Sequence, residues 1–165
     1  MLIDPAGLHP VFAYGSNMDL ADLDRWLAEK GHRPGRPATS SPAVLEGWRL
    51  VWNYDSPTRR GGAANIEPAV GARLPGALLY VDGPLLAALD QKEGHPERYR
   101  RRRLPVRGPA ATVEAWAYVV TAPWRSSRAI WPRRVYLETV LRGARAFDLP
   151  PAHIAAIAAT PTVDG

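Results

Sequence analysis

Apolar residues along the chain fall into short runs separated by clusters of Pro, Gly and Ser, and helical spacing appears at only a few places. Residues 11–14 are a β-type run that ends in a Gly15-Ser16-Asn17 turn signal. Leu20, Leu23 and Leu27 then recur at helical spacing, Asp19 and Asp22 stand in the first turn, and Gly31 can end the helix. Residues 31–42 are rich in Pro, Gly and Ser and read as a loop. Residues 43–52 predict a strand, 56–62 a turn-rich loop, 63–67 a short strand, and 76–81 a third apolar run of strand length. Pro84 fits the first turn of a short helix through Leu89. Residues 99–106 and 112–121 both read as extended. In the second, both alternating sets are largely apolar, which predicts a strand buried on both faces. Pro132 can open a helix that runs to Arg142 and stops at Gly143. A last helix begins near Pro150, with Ile154 and Ile157 facing inward.

Strands dominate early, helices are inserted and then gather at the end, and no regular βαβ alternation occurs. That order predicts an α+β fold. A chain of 165 residues without internal repeats suits one domain spanning residues 1–165. An apolar share of 46% with 22% charged residues is that of a folded globule, which sets disorder aside. The absence of Cys excludes a disulfide scaffold, a thiol nucleophile and a thiolate metal site. His9, His32, His95 and His153 show no metal-ligand spacing, so no metal is expected, and His95 reads as an exposed loop residue. Residues 1–10 lack a basic-then-apolar leader, and no apolar run reaches the roughly 18 residues of a membrane span. The expected location is cytoplasmic, with no membrane partner and a monomer or homodimer as the assembly.

The net charge of +5 and a pI near 10.0 raise the question of nucleic acid. Much of the charge lies in Arg98 and residues 100–103. On a strand, Arg100 and Arg102 point one way and Arg101 and Arg103 the other, which divides the charge between two faces. No nucleic-acid partner is therefore expected, although a basic nucleic-acid-binding protein stands as an alternative. A serine hydrolase is disfavoured because Ser16 lacks the Gly-x-Ser-x-Gly elbow.

Two segments carry candidate chemistry. In Phe12-Ala13-Tyr14-Gly15-Ser16-Asn17 an extended segment runs into a small turn and then a helix. Gly15 lets the backbone approach a ligand, and successive N–H groups at a helix start suit a carboxylate or a developing oxyanion. The plain alternative is a helix-start turn capped by Asn17 or Asp19. In Leu89-Asp90-Gln91-Lys92-Glu93-Gly94 two carboxylates end a short helix. A Glu enclosed by apolar elements can exchange protons near neutrality, whereas the plain alternative is a solvated helix end with a Gly cap.

Together these segments resemble the γ-glutamylcyclotransferase-like, or AIG2-like, family. The likeness rests on Phe-Ala-Tyr-Gly-Ser-Asn-Met at 12–18 and on Leu-Asp-Gln-Lys-Glu-Gly at 89–94 followed by Tyr99. It extends through Leu-Glu-Gly-Trp-Arg-Leu at 45–50, Gly-Gly-Ala-Ala-Asn-Ile at 61–66, Gly-Ala-Leu-Leu-Tyr-Val at 76–81, Tyr118 and Tyr136, and so over about residues 11–160. The resemblance implies a small, mostly antiparallel, barrel-like sheet with peripheral helices and the two motifs meeting at one mouth. It implies cyclisation of a γ-glutamyl amide or amine to 5-oxoproline, with release of the free amine and no cofactor. Glu93 would be the general base. Tyr14, Gly15, Ser16 and Asn17 would line the substrate pocket, Tyr99 and Tyr136 would be further wall residues, and Asp90 would be structural. A family member that binds γ-glutamyl groups without turnover is the other alternative. The chain departs from the family pattern at residues 97–103 and 124–131, where a leaving group would be read.

Overall fold

The computed structural model describes residues 6–165; the first half of the segment read as lacking a leader lies outside the described residues. The strands are β1 (His9–Ala13), β2 (Thr39–Ser56), β3 (Gly61–Val81), β4 (Tyr99–Arg107) and β5 (Thr112–Val120). They close into a barrel in the order β1-β3-β2-β4-β5. All neighbours are antiparallel except β1 and β5, whose parallel contact at Val11 and Trp116 closes the ring. The helices are α1 (Leu20–Glu29), α2 (Gly83–Glu93), α3 (Arg134–Ala146) and α4 (Pro151–Ala158). The fold is thus α+β, with a mostly antiparallel barrel as expected.

Several boundaries differ from the sequence-based expectation, α2 for instance running to Glu93 rather than Leu89. Residues 63–67 and 76–81 belong to one continuous strand, β3, although Pro68 and Pro75 lie between them. β3 pairs with β1 only through residues 77–81, so among the described residues no second strand pairs with residues 66–75 and a missing N–H is harmless on that edge. β2 likewise begins at Thr39, inside the expected loop, because it pairs with β3 from Thr39↔Tyr80 onward. Finally, α3 runs through Gly143 to Ala146 rather than stopping. A Cβ at Gly143 would stand 2.5 Å from Met18 Cβ and 2.8 Å from the Asp19 nitrogen. The glycine is there for close approach, not termination. The expected burial of both faces holds for β5 from Ala117 onward, not for its outer end.

This crossing positions the site. Met18 is wholly buried between the barrel and α3, and Asp19 caps α1 by accepting from the N–H groups of Ala21 and Asp22. Arg142 of α3 donates to the other oxygen of Asp19 at 3.1 Å. The turn after β1 is therefore held from both sides. The wholly buried Asn65 ties the hairpin to β5: its amide donates to Asn53 Oδ1 and its carbonyl accepts from Val120 N–H.

Candidate functional site

At one mouth of the barrel a cavity of about 440 Å³ is walled by β1, the β2–β3 hairpin, the end of α2, the start of β4 and Tyr136 of α3. Every residue assigned a site role from sequence lines it: Tyr14, Gly15, Ser16, Asn17, Glu93, Tyr99 and Tyr136.

The floor is aromatic, with its hydroxyls turned to backbone partners. Tyr14 donates to the Tyr118 carbonyl at 2.5 Å, Tyr99 donates to the Ala64 carbonyl at 2.7 Å, and Tyr136 accepts from Ala64 N–H at 3.1 Å. Tyr54 packs edge-on to Tyr99 with ring centroids 5.1 Å apart. Burial pushes the phenols of Tyr14, Tyr99 and Tyr136 up, so all three stay neutral at physiological pH. They serve as shaped, uncharged walls.

After β1 the chain turns through a short 3₁₀ segment, Ser16–Met18, in which Met18 N–H bonds the Gly15 carbonyl and Asp19 N–H bonds the Ser16 carbonyl. The first N–H groups of such a segment have no partner within it. Asp19, one of the two residues proposed as cap, does cap α1; Asn17 faces the cavity instead.

The Asn17 amide donates from Nδ2 to Glu93 Oε1 at 2.7 Å, which joins the two sequence motifs directly. Glu93 is the last residue of α2, and Gly94 caps the helix in the left-handed conformation with φ of 66°. The Gly cap is thus present, but the carboxylate before it is half-buried in the cavity wall rather than free in solvent.

Lys92, which carried no role in the sequence reading, fixes this arrangement. Its side chain is only 6% exposed, and its ammonium donates to Asn17 Oδ1 at 2.6 Å and to Ser16 Oγ at 3.4 Å. An ammonium has no acceptor. It must take the carbonyl end of the Asn17 amide, and that leaves the NH₂ end for Glu93. Burial lowers the Lys92 pKa, an effect the nearby Glu93 charge opposes and the Arg59 charge reinforces.

Behind Lys92 lies Asp22, 2% exposed, which gathers the local positive charge. It accepts from Arg59 at 3.0 Å, pairs with Arg25, and stands 4.0 Å from the Lys92 ammonium. Arg59 comes from the β2–β3 turn, where Ser56 Oγ accepts its backbone N–H, and its guanidinium lies 5.0 Å from the centre of the Tyr136 ring. The sequence offered no signal for Arg59 beyond its charge, and marked Asp22 only as a first-turn helix residue, because their pairing spans 37 positions. Lys92 could have been noticed from its place beside Glu93 on a helix whose other face is apolar.

Asp90 bonds Arg101 through both carboxylate oxygens, at 2.8 and 3.0 Å, and accepts from Tyr118 at 2.7 Å. It braces α2 against β4 and β5. His95 is not the exposed loop residue expected: it is half-buried, its Nδ1 accepts from Arg101 N–H, and its ring meets Tyr118 edge-on. The arginines of β4 are divided as expected, Arg101 lying over Trp116 and Arg102 over Trp48. No described helix is long and apolar enough to cross a membrane.

Among solved structures the chain is similar to one described as a gamma-glutamyl cyclotransferase, with a TM-score of 0.76 and 21% identity over 94% of this chain and 89% of that one. It is also similar to the Homo sapiens protein loc79017, with a TM-score of 0.78 and 21% identity over 96% and 91% of the two chains. A yeast gamma-glutamyl cyclotransferase specific to glutathione matches with a TM-score of 0.61 at 10% identity, over 90% and 93%. At these identities the likeness establishes the fold. No curated protein matches the sequence. The family described as "Gamma-glutamyl cyclotransferase, AIG2-like" matches residues 11–138, most of the chain and both motifs. On that match the chain belongs to the AIG2-like gamma-glutamyl cyclotransferase family.

Proposed function

We propose that the protein is a γ-glutamylcyclotransferase that converts a γ-glutamyl amide or amine to 5-oxoproline and the free amine, with Glu93 as general base. One observation carries this reading: a carboxylate, held at 2.7 Å by the Asn17 amide, stands in a cavity wall beside the N–H groups of the 3₁₀ turn.

The substrate's α-ammonium gives a proton to the Glu93 carboxylate. The freed amine attacks the γ-carbonyl carbon, forming the ring C–N bond. Negative charge then builds on the carbonyl oxygen, and in this reading the backbone N–H groups of Gly15, Ser16 and Asn17 receive it. Collapse of this intermediate breaks the bond to the leaving nitrogen, which takes the proton from Glu93, and the ring nitrogen then gives up its second proton through the regenerated carboxylate to the released amine, which departs as an ammonium. Atoms and charge balance without a water or a co-reactant. Tyr14, Tyr99 and Tyr136 fold the glutamyl chain so that nitrogen and carbonyl carbon meet, and such positioning supplies several kcal/mol of the acceleration.

The test is incubation with a panel of γ-glutamyl compounds, read by mass spectrometry for 5-oxoproline. Release of 5-oxoproline from at least one member is the expected result. Binding of panel members without 5-oxoproline from any of them would replace the enzyme with a binding module.

A further inference from the structure

The positive groups on the cavity wall are not equivalent. Lys92, Arg59 and Arg25 all stand within 4.0 Å of the Asp22 carboxylate. Lys30 and Glu29 are exposed neighbours of opposite charge at the rim. Arg98 differs from all of these. It lines the cavity and is half-buried, and among the described residues no carboxylate pairs with it. Its guanidinium donates to Tyr54 Oη at 3.3 Å, and its central carbon lies over the Trp124 ring, 3.9 Å from the ring centre. These contacts hold the group in place without neutralising its charge.

Arg98 and Trp124 come from segments 26 positions apart in the chain, and the fold brings them together. The Trp124 segment is fastened along the hairpin: Tyr54 bridges to Arg125, Ser126 N–H bonds the Asn53 carbonyl, and Ile130 N–H bonds the Trp52 carbonyl. Arg98 N–H bonds the Gly94 carbonyl, just past Glu93, and the Arg98 carbonyl accepts from Thr121 N–H. The guanidinium is therefore carried by backbone anchored within a few residues of the proposed base.

Building on the proposed cyclotransferase reaction, we infer that Arg98 reads a carboxylate on the leaving amine. The substrates are then γ-glutamyl amino acids or peptides, rather than γ-glutamyl polyamines or γ-glutamyl-lysine side-chain amides. A planar guanidinium, held over an aromatic ring and without an ion pair, suits bidentate recognition of a carboxylate. A cationic leaving amine would meet the same charge unscreened in a half-buried wall.

A matched pair isolates the inference: γ-glutamyl-alanine and γ-glutamyl-alaninamide share the glutamyl group and differ only in the carboxylate of the leaving amine. The native protein should favour the acid by roughly 10- to 100-fold in kcat/KM, the range of a charge-assisted hydrogen-bond pair. γ-Glutamyl-putrescine, whose leaving amine carries a second ammonium, should be poorer still. Arg98→Gln should collapse the acid-to-amide ratio to below about threefold by loss on the acid, and Arg98→Lys should keep part of it. Equal turnover of acid and amide by the native protein, or a preference for the cationic amine, overturns the inference. So does an equal loss on both substrates in Arg98→Gln, which would place Arg98 on the glutamyl group or in the scaffold. In each of those outcomes 5-oxoproline still forms. Its absence with every substrate would instead overturn the cyclotransferase reading and this inference with it.

Discussion

Replacing Lys92 with Met tests whether the proposed base, Glu93, is oriented from behind. Met has a similar length and no charge, so the buried space beside Asp22 stays filled. What is lost is an ammonium–amide bond of 2.6 Å, a charge-assisted contact worth about 1.5–3 kcal/mol. In the native protein that bond holds the Asn17 carbonyl away from Glu93 and its NH₂ toward Glu93 at 2.7 Å. Without it the amide can turn, and its carbonyl oxygen would then repel the carboxylate it normally holds. If the loss is felt in full at the transition state, kcat falls by roughly 10- to 150-fold at a tenfold change per 1.4 kcal/mol. Steady-state 5-oxoproline release, with circular dichroism to confirm the fold, measures this.

The pH dependence supplies an independent readout. Burial puts the Lys92 ammonium below the ordinary lysine value of 10.5. Between the lowered value and 10.5 the unfolded chain holds a proton that the folded chain has released, so unfolding free energy should rise with pH across that window. Activity should fall across the same window, since a neutral amine no longer dictates how the Asn17 amide points. Lys92→Met should show neither slope. Native-like kcat in Lys92→Met, with the alkaline fall in activity unchanged, would refute the argument.

Glu93→Gln keeps the size of the side chain but cannot take the ammonium proton, and kcat should fall by roughly 10²- to 10⁴-fold with substrate binding retained; Glu97→Gln, on the exposed segment after α2, should leave kcat unchanged when assayed in parallel. Gly15→Val should abolish activity, because even a Cβ there lies 3.2 Å from Ala64 Cβ and 3.5 Å from the Tyr136 hydroxyl; Ser16→Ala keeps the backbone N–H and should be milder, as a comparison of kcat/KM will show. Gly143→Ala should lower stability by about 1–3 kcal/mol in urea titration, since the added methyl meets the backbone of Met18 and Asp19 at 2.7 and 2.8 Å.

The two motifs were legible because each is local: Tyr14 to Asn17 and Glu93 sit at the ends of elements whose starts and stops are written in neighbouring residues. Their meeting was legible only through the family resemblance. Periodicity placed Leu23 and Leu27 in the core, where they are buried. It broke β3 in two because Pro and Gly usually end strands, and nothing local says that, among the described residues, no second strand pairs with residues 66–75. Gly143 was misjudged for a related reason: helix termination and close packing both select glycine, and only the approach of Met18 separates them. Lys92 escaped notice because a lysine is ordinarily solvated, and its burial depends on Asn17 and Ser16 some 75 positions earlier.

The parallel contact of β1 with β5 has a kinetic consequence. Val11 and Trp116 are among the last partners a growing chain can bring together, and the ring cannot close before the first strand meets the fifth. The Tyr14 hydroxyl bonds the Tyr118 carbonyl across that same seam, and Tyr136 reaches Ala64 from beyond it. Loops of this length are slow to close. A half-assembled barrel would therefore carry hairpins and helices but no cavity. After dilution from denaturant, turnover should return with the slowest phase of refolding, and catalysis would report that the ring has shut.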